Sequence, residues 1–309
     1  MIKRDIYGGT VREQVLAGRR DRMYRFTLAG ERVRCAIIHA TKLVSEMRAN
    51  HETGVLETLI LGYGYLGALL LSSTLKGAER IILEISCDGP LRGLSVEANA
   101  FGEVRGYLRV KRIPVKAPLE SADLSPFWGK GFLTVIRHLE SSKQPFTGQV
   151  ELGSGSFALN LAHYSLQSEQ TPSSYSLSVH FDSRGVVQGA GALLVQALPG
   201  ADNALLEALE RKVATLPRLG REFADGVTPE SLVLSYFGEY DPRFVGEKRV
   251  EFMCHCSRDR FVSSLSLLGR NELADLVKTG PYPLVLTCAN CNTAYEFTRT
   301  EMERAFPGL

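Results

Sequence analysis

This sequence lacks a strong excess of either charge, because its 36 lysines and arginines stand against 34 aspartates and glutamates for a formal charge of +2. A dedicated nucleic-acid binder usually carries a basic face, so this balance argues against that class of partner. Residues 1–5 lack the apolar run of a signal peptide, and no uncharged apolar stretch reaches membrane-spanning length. We therefore expect a soluble, cytoplasmic protein with no nucleic-acid partner and no membrane partner.

The sequence also lacks recognisable sets of catalytic residues. No Ser/His/Asp set, pair of carboxylates or phosphate-binding loop stands out, so we expect that the protein is not an enzyme. Gly62, Gly64 and Gly67 do have the spacing of a dinucleotide-binding motif, and Glu84 follows 20 residues after Gly64. However, apolar residues recur at helical spacing straight through residues 54–74. We interpret this stretch as a buried helix whose glycines permit close packing.

The chain has six cysteines, and four of them form two close pairs near its C-terminal end. The first pair is Cys254 and Cys256, and after 31 residues the second is Cys288 and Cys291. Two converging pairs of thiolates supply the tetrahedral sulfur shell that Zn²⁺ favours, although the spacing departs from the usual motif. We therefore predict one Zn²⁺ per chain on these four residues. Two structural disulfides and a chance cluster are the alternative interpretations, and His255 is a further candidate ligand.

The same spacing indicates redox chemistry. Thiolates on zinc are already deprotonated, and they react with oxidants when the protection by the metal weakens. A disulfide between Cys254 and Cys256 would close a very small ring, and strained disulfides are the labile, regulatory kind. Cys288-x-x-Cys291 would also suit a thiol oxidoreductase, but such enzymes place this motif after a strand and at the start of a helix. Here it is expected in a hairpin.

Several single residues have ordinary interpretations. Cys35 lies inside an apolar pattern and is expected in the core, whereas Cys87 is expected to be a partly buried thiol without a partner. Lys248, Arg258 and Arg260 would either offset the negative charge of four thiolates or be solvated surface charges, and the sequence favours neither.

The chain is expected to have three parts. Residues 1–198 contain β-rich runs separated by turns, with helices inserted between blocks of strands, and this pattern predicts an α+β domain with antiparallel sheets. Residues 199–247 change to short amphipathic helices, which form either a plain linker or a regulated hinge. Residues 248–309 would form a small C-terminal zinc-binding domain that closes with a helix capped by Thr298 and Glu301.

Local signals predict two further helix boundaries. Thr228 and Pro229 would cap and start a helix in which Leu232 and Leu234 are covered. Asn271 would cap a later helix that ends near residue 279.

Six stretches of the sequence together carry a family resemblance. They are VEFMCHCSRDR at residues 250–260, CANC at 288–291, YEF at 295–297, CDGPL at 87–91, YSLQSEQTP at 164–172 and GALLVQALP at 191–199. In this order they resemble the 33 kDa chaperonin family of redox-regulated heat-shock holdases. Because the stretches span nearly the whole chain, a stray zinc finger does not account for them.

The resemblance implies a redox switch. The reduced chain would hold zinc through all four cysteines and be inactive. Oxidation would join Cys254 to Cys256 and Cys288 to Cys291, release the metal, and expose apolar surface that binds unfolded client proteins without ATP. The oxidised form would tend to be a homodimer. A zinc-ribbon nucleic-acid module and a thiol oxidoreductase are the alternative functions.

Overall fold

Two β-sheets form the frame of the N-terminal part in this computed structural model, which describes residues 1–4, 6, 21–115, 124–153 and 155–308. In spatial order the first sheet contains β10 (Arg243–Arg249), β1 (Arg22–Leu28), β2 (Val33–His39), β9 (Val187–Ala197) and β8 (Ser173–Phe181). The second contains β11 (Glu251–Phe252), β5 (Glu103–Leu108), β4 (Gly93–Asn99), β3 (Arg80–Cys87), β6 (Gly131–His138) and β7 (Phe146–Glu151). Neighbouring strands run antiparallel, except that β11 pairs with β5 in parallel.

Ten α-helices lie within the described residues. They are α1 (Thr41–His51), α2 (Val55–Leu71), α3 (Ser125–Trp128), α4 (Phe157–Gln167), α5 (Asn203–Ala214), α6 (Leu219–Ala224), α7 (Pro229–Phe237), α8 (Arg258–Leu265), α9 (Arg270–Thr279) and α10 (Arg299–Ala305). A hairpin of β12 (Leu284–Thr287) and β13 (Ala294–Phe297) lies between α9 and α10. This combination of antiparallel sheets and helices confirms the predicted α+β class.

The long apolar helix α2 lies between the two sheets. A Cβ added at Gly62 would meet Val179 of the first sheet at 3.3 Å, and one at Gly64 would meet Val96 of the second at 3.2 Å. The glycines therefore let the helix approach both sheets, which confirms the close-packing interpretation of the motif. By length and composition Val55–Thr74 passes for a membrane span, but 83% of its window is buried inside the protein. It is a core helix.

Helices α5 to α7 pack on the first sheet. They contribute Leu209, Val213, Leu219, Phe223, Leu232, Val233 and Phe237 to a buried cluster with Phe26, Ile37 and Leu193 of the strands. The Thr228 hydroxyl accepts a hydrogen bond from the Ser231 N–H and Pro229 is the first residue of α7, so this predicted start is confirmed. Leu234, however, is 57% exposed, because Val233 and Phe237 occupy the inward face. Its predicted burial was wrong.

The chain returns to both sheets before it reaches the cysteines. Strand β10 pairs with β1 at one edge of the first sheet, and β11 pairs with β5 at one edge of the second. The Lys248 ammonium donates to the carbonyls of Ser72 (3.2 Å) and Ala100 (3.1 Å), which ties β10 to loops at the ends of α2 and β4. Residues 243–252 therefore connect the N-terminal sheets to everything that follows.

The residues after β11 have a small core of their own. It consists of Leu273, Val277, Leu284, Tyr295, Phe297 and Met302. Helix α9 follows an extended Gly269 whose carbonyl accepts from Leu273, so the helix starts before Asn271 and the predicted cap there was wrong. Its predicted end at Thr279 is confirmed, as is the capping box of Thr298 and Glu301.

Candidate metal centre

The first cysteine pair lies in a short loop between strand β11 and helix α8. The Met253 N–H continues the pairing with β5 by donating to the Val104 carbonyl at 3.0 Å. On the other side, the Ser257 hydroxyl caps α8 by accepting from the Arg260 N–H. The loop of Cys254 and Cys256 is thus fixed at both ends.

The second pair lies in the turn of the β12–β13 hairpin. The Cys288 carbonyl accepts the Asn292 N–H at 2.7 Å, and the Cys288 N–H donates to the Thr293 carbonyl at 2.9 Å. Asn292 adopts a left-handed conformation (φ 54°), which asparagine tolerates better than most residues. This is a hairpin turn, as expected, and it differs from the strand-to-helix placement of the motif in thioredoxin-like enzymes.

Folding brings the four sulfurs together. All four Sγ atoms lie within 4.8 Å of one another, with Cys254 and Cys288 3.8 Å apart and Cys256 and Cys291 3.4 Å apart. Four thiolates at about 2.3 Å from one tetrahedral zinc ion would have sulfurs about 3.8 Å apart. A disulfide needs about 2.05 Å, and all six cysteines are free thiols. The donor set therefore fits a zinc ion in both chemistry and spacing.

The thiols of the centre share protons through hydrogen bonds, and a bound metal ion would take the place of these protons. The pKa of Cys254 is well below its usual range, because the thiols of Cys288 and Cys291 donate to it. The same contact with Cys254 raises the pKa of Cys288 to about 11. One sulfur thus holds negative charge at the expense of the others. A divalent cation would remove this competition by taking the place of the shared protons.

His255 points away from the sulfurs. Its Nε2 lies 2.8 Å from Glu103 Oε2 on β5, and its side chain is 55% exposed. The four-residue group of candidate ligands consists of the cysteines alone. In this conformation His255 therefore contacts Glu103 and lies outside the group of four sulfurs.

The three cations considered from the sequence have other surroundings. Arg258 pairs with Glu301 at 2.7 Å and covers the Phe297 ring, Arg260 is exposed, and Lys248 binds backbone carbonyls at β10. Instead Arg105 of β5 approaches the centre, with Nη1 3.8 Å from Cys254 Sγ. Sequence reasoning missed Arg105 because it lies 149 residues before Cys254 and no local pattern connects the two.

The centre lies against the N-terminal sheets. Asn50 at the end of α1 is 3% exposed and donates to the Cys291 carbonyl at 3.2 Å, while Asn292 donates to the Asn50 carbonyl at 2.9 Å. The Gly106 N–H of β5 donates to the Asn290 carbonyl at 3.3 Å. Cys254, Cys288 and Cys291 accordingly belong to the same buried cluster as the cores of both sheets. We call this boundary between residues 254–308 and the N-terminal sheets the seam.

The other two cysteines are not part of the centre. Cys35 is 4% exposed in the core, as predicted, and burial raises the pKa of its thiol well above the usual value. Cys87 is half-buried and free, also as predicted.

Comparison with known proteins gives a consistent answer. A family profile described as "Hsp33 protein" matches residues 21–298. The chain is 36% identical over 265 residues to a 33 kDa chaperonin of Desulforamulus reducens, covering 85% of this chain and 90% of that one. It is 34% identical over 291 residues to a 33 kDa chaperonin of Symbiobacterium thermophilum, covering 94% and 98%. The crystal structure of the 33 kDa chaperonin from Thermotoga maritima superposes with a TM-score of 0.81 at 31% identity, covering 93% of this chain and 97% of that one.

Proposed function

This chain belongs to the Hsp33 protein family, and from that premise we propose that it is a redox-regulated, ATP-independent holdase controlled by a zinc centre at Cys254, Cys256, Cys288 and Cys291. Its place in a chaperone family supports the general activity. The observation that carries the regulatory part is the convergence of four sulfurs within 4.8 Å in a partly enclosed site.

Zinc would link the loop after β11 to the β12–β13 turn. The residues around the centre support this role: Tyr295 donates to the Cys256 carbonyl at 3.0 Å, and Thr293 Oγ1 lies 3.2 Å from Cys291 Sγ. Such outer contacts orient ligand side chains and commonly matter for metal affinity. The metal would supply the cross-link between two segments that share only a small core.

Oxidation would remove that link. Two thiolates lose two electrons to one molecule of hydrogen peroxide, which takes up two protons from solvent and becomes two molecules of water, and one disulfide forms. The pairing that we propose is Cys254 with Cys256 and Cys288 with Cys291, so two peroxide molecules are consumed per chain. A disulfide sulfur is neutral and a poor zinc ligand, because the thiolate is the form that binds metal. The zinc would then leave.

Metal loss would open the seam and expose apolar surface to client proteins. We propose the division 1–198, 199–247 and 248–309, in which the last part unfolds. In the structure described here, helices α5 to α7 cover the first sheet. Strand β10 of the same sheet follows α7 in the chain and leads through β11 into the cysteine loop. Loosening of these helices would uncover Leu209, Val213 and Leu232. The oxidised form would be a homodimer in the cytoplasm, without nucleic-acid or membrane partners.

The central test measures metal, activity and size on the same samples. Reduced protein should contain one zinc per chain and leave a heat-denatured client to aggregate. Peroxide-treated protein should lose the zinc, suppress aggregation without ATP, and approximately double its mass in light scattering. Equal suppression by both forms would remove the switch from the proposal.

Matched serine variants identify the sulfurs involved. Cys288→Ser should fail to retain zinc, whereas Cys87→Ser, a free thiol outside the centre, should behave as the wild type. Zinc loss in both variants would show that the metal is held in some other way.

A further inference from the structure

Two charged side chains of β5 hold the loop of the first cysteine pair. Glu103 and Arg105 are two residues apart on one strand, so their side chains leave the same face of the sheet. Glu103 Oε2 lies 2.8 Å from His255 Nε2, and Arg105 Nη1 lies 3.8 Å from Cys254 Sγ. The second sheet therefore contacts the loop at a cysteine and at the residue between the two cysteines.

Arg105 is held in position for this contact. Its Nη2 donates to Glu97 Oε1 at 3.0 Å, and the two side chains are only 24% and 26% exposed. Glu97 lies directly opposite Arg105 in the pairing of β4 with β5, so the backbone register fixes the pair. A guanidinium group stays charged throughout the physiological pH range. Arg105 thus places a permanent positive charge beside Cys254.

This charge favours the thiolate state of the centre. Four thiolates and one Zn²⁺ carry a formal charge of about −2, which a neighbouring cation stabilises. A hydrogen bond to a charged sulfur also lowers its reactivity, and outer partners of metal ligands are typically worth about 10–100-fold in metal affinity. A disulfide sulfur has no charge and accepts only weakly, so the contact loses most of its strength on oxidation.

We propose that Arg105 is a positioning residue that sets how firmly this centre retains its metal, and that Glu103 assists by anchoring His255. This inference rests on the proposed function, because it concerns the same four cysteines. In the reduced state the two contacts hold the cysteine loop on β5 and slow metal release. After oxidation the contact between Arg105 and Cys254 weakens, and the loop separates from the second sheet at the seam.

The test compares zinc release from reduced, zinc-loaded protein to an excess of a chromogenic chelator. Arg105→Gln should release zinc about tenfold faster than the wild type. Arg105→Lys should release it at an intermediate rate, because lysine keeps the positive charge but lacks the planar guanidinium that donates to Glu97 and Cys254 at once. Arg137→Gln is the matched control. Arg137 lies on β6, pairs with Glu169 in the N-terminal part, and has a side chain about as buried as that of Arg105. Arg137→Gln should release zinc at the wild-type rate.

The zinc-release rates can contradict the role of Arg105 in several ways. Release from Arg105→Gln at the wild-type rate would overturn the proposal, and so would equal acceleration in Arg105→Gln and Arg137→Gln, which would indicate general destabilisation. If Arg105→Gln does not fold, Glu103→Gln takes its place and should show a smaller acceleration, with an unchanged rate counting against the proposal. Wild-type protein without zinc would overturn the proposed function as well, whereas zinc-loaded wild type with an unaltered variant would overturn this inference alone.

Discussion

Helices α2 and α8 show how differently the two sides of the seam are held together. Of the 17 residues of α2, 14 are buried, and they pack against strands from both sheets. None of the eight residues of α8 is buried, and Leu267 just beyond it is 87% exposed. The N-terminal side therefore has an extensive core, whereas the cysteine side has a small cluster of its own, the contacts of the seam and the proposed metal centre.

The largest effect expected from this difference follows metal removal. A unit of about 60 residues rarely draws more than about 3–5 kcal/mol from its core, whereas a structural zinc contributes on the order of 10–16 kcal/mol of apparent binding free energy at neutral pH. Zinc-free, oxidised protein should therefore lose amide protection from about Lys248 onward and in α5 to α7, while α2 stays protected. Hydrogen exchange before and after peroxide treatment measures this. Unchanged protection of residues 254–308 would defeat the comparison between the two sides.

A pair of substitutions in α7 tests whether the helical layer is held by the first sheet. Leu232 is 1% exposed and Leu234 is 57% exposed on the same helix. Leu232→Ala should lower the free energy of unfolding by about 2–5 kcal/mol, and Leu234→Ala by less than about 0.5 kcal/mol. Denaturant unfolding of reduced protein provides both values. Similar losses would mean that α7 does not pack as described.

Replacement of Asn50 tests the seam directly. Asn50→Ala removes the acceptor for the Arg4 N–H and the donor to the Cys291 carbonyl, and it leaves that buried carbonyl unpaired at a cost of about 1–3 kcal/mol. Residues 254–308 should exchange faster in the reduced variant, with α2 unchanged. Asn160→Ala, an equally buried asparagine that bonds within the N-terminal part near Gly153, should leave the seam protected. If both variants accelerated exchange of residues 254–308 equally, the contacts of Asn50 would not be what protects the seam.

Local patterns predicted much of this molecule, because the signals that they use are local. The buried helix α2, the caps at Thr228 and Thr298, and the hairpin turn around Cys288 each depend on a few consecutive residues, and each is found as expected. The convergence of the four sulfurs also followed from residue chemistry and spacing.

Strands at the sheet edges and partners across the seam were not predictable in this way. A bulge between Arg25 and Phe26 breaks the alternation of β1, and β10 is largely exposed and polar, so neither has the two-residue period of a half-buried strand. Asn50 and Arg105 reach the centre from 241 and 149 residues away, through contacts that only the assembled sheets create.

The smallest expected effect concerns Lys248, which fastens β10 beside the seam. Burial lowers the pKa of its ammonium to about 8 in the folded protein, with a smaller contribution from Arg25. Between that value and the unfolded value of about 10.4, the unfolded chain binds more protons than the folded one, so this group adds stability as the pH rises through the window. Below about pH 8 both states are protonated, so stability no longer changes with pH through this group and the cost of burying the ammonium is present in full.

A Lys248→Met variant isolates this contribution. The stability of the wild type minus that of Lys248→Met should increase by about 1 kcal/mol between pH 7 and pH 9, since one pKa unit corresponds to about 1.4 kcal/mol. Other titrating groups occur in both proteins and cancel in the difference. Lys212→Met is the control, because Lys212 of α5 is partly exposed and its hydrogen bond with Glu239 raises the pKa of its ammonium, so the corresponding difference should stay flat over this range. A flat difference for Lys248→Met as well would mean that its ammonium is fully solvated, and β10 would then be less firmly attached to the seam than its two carbonyl contacts indicate.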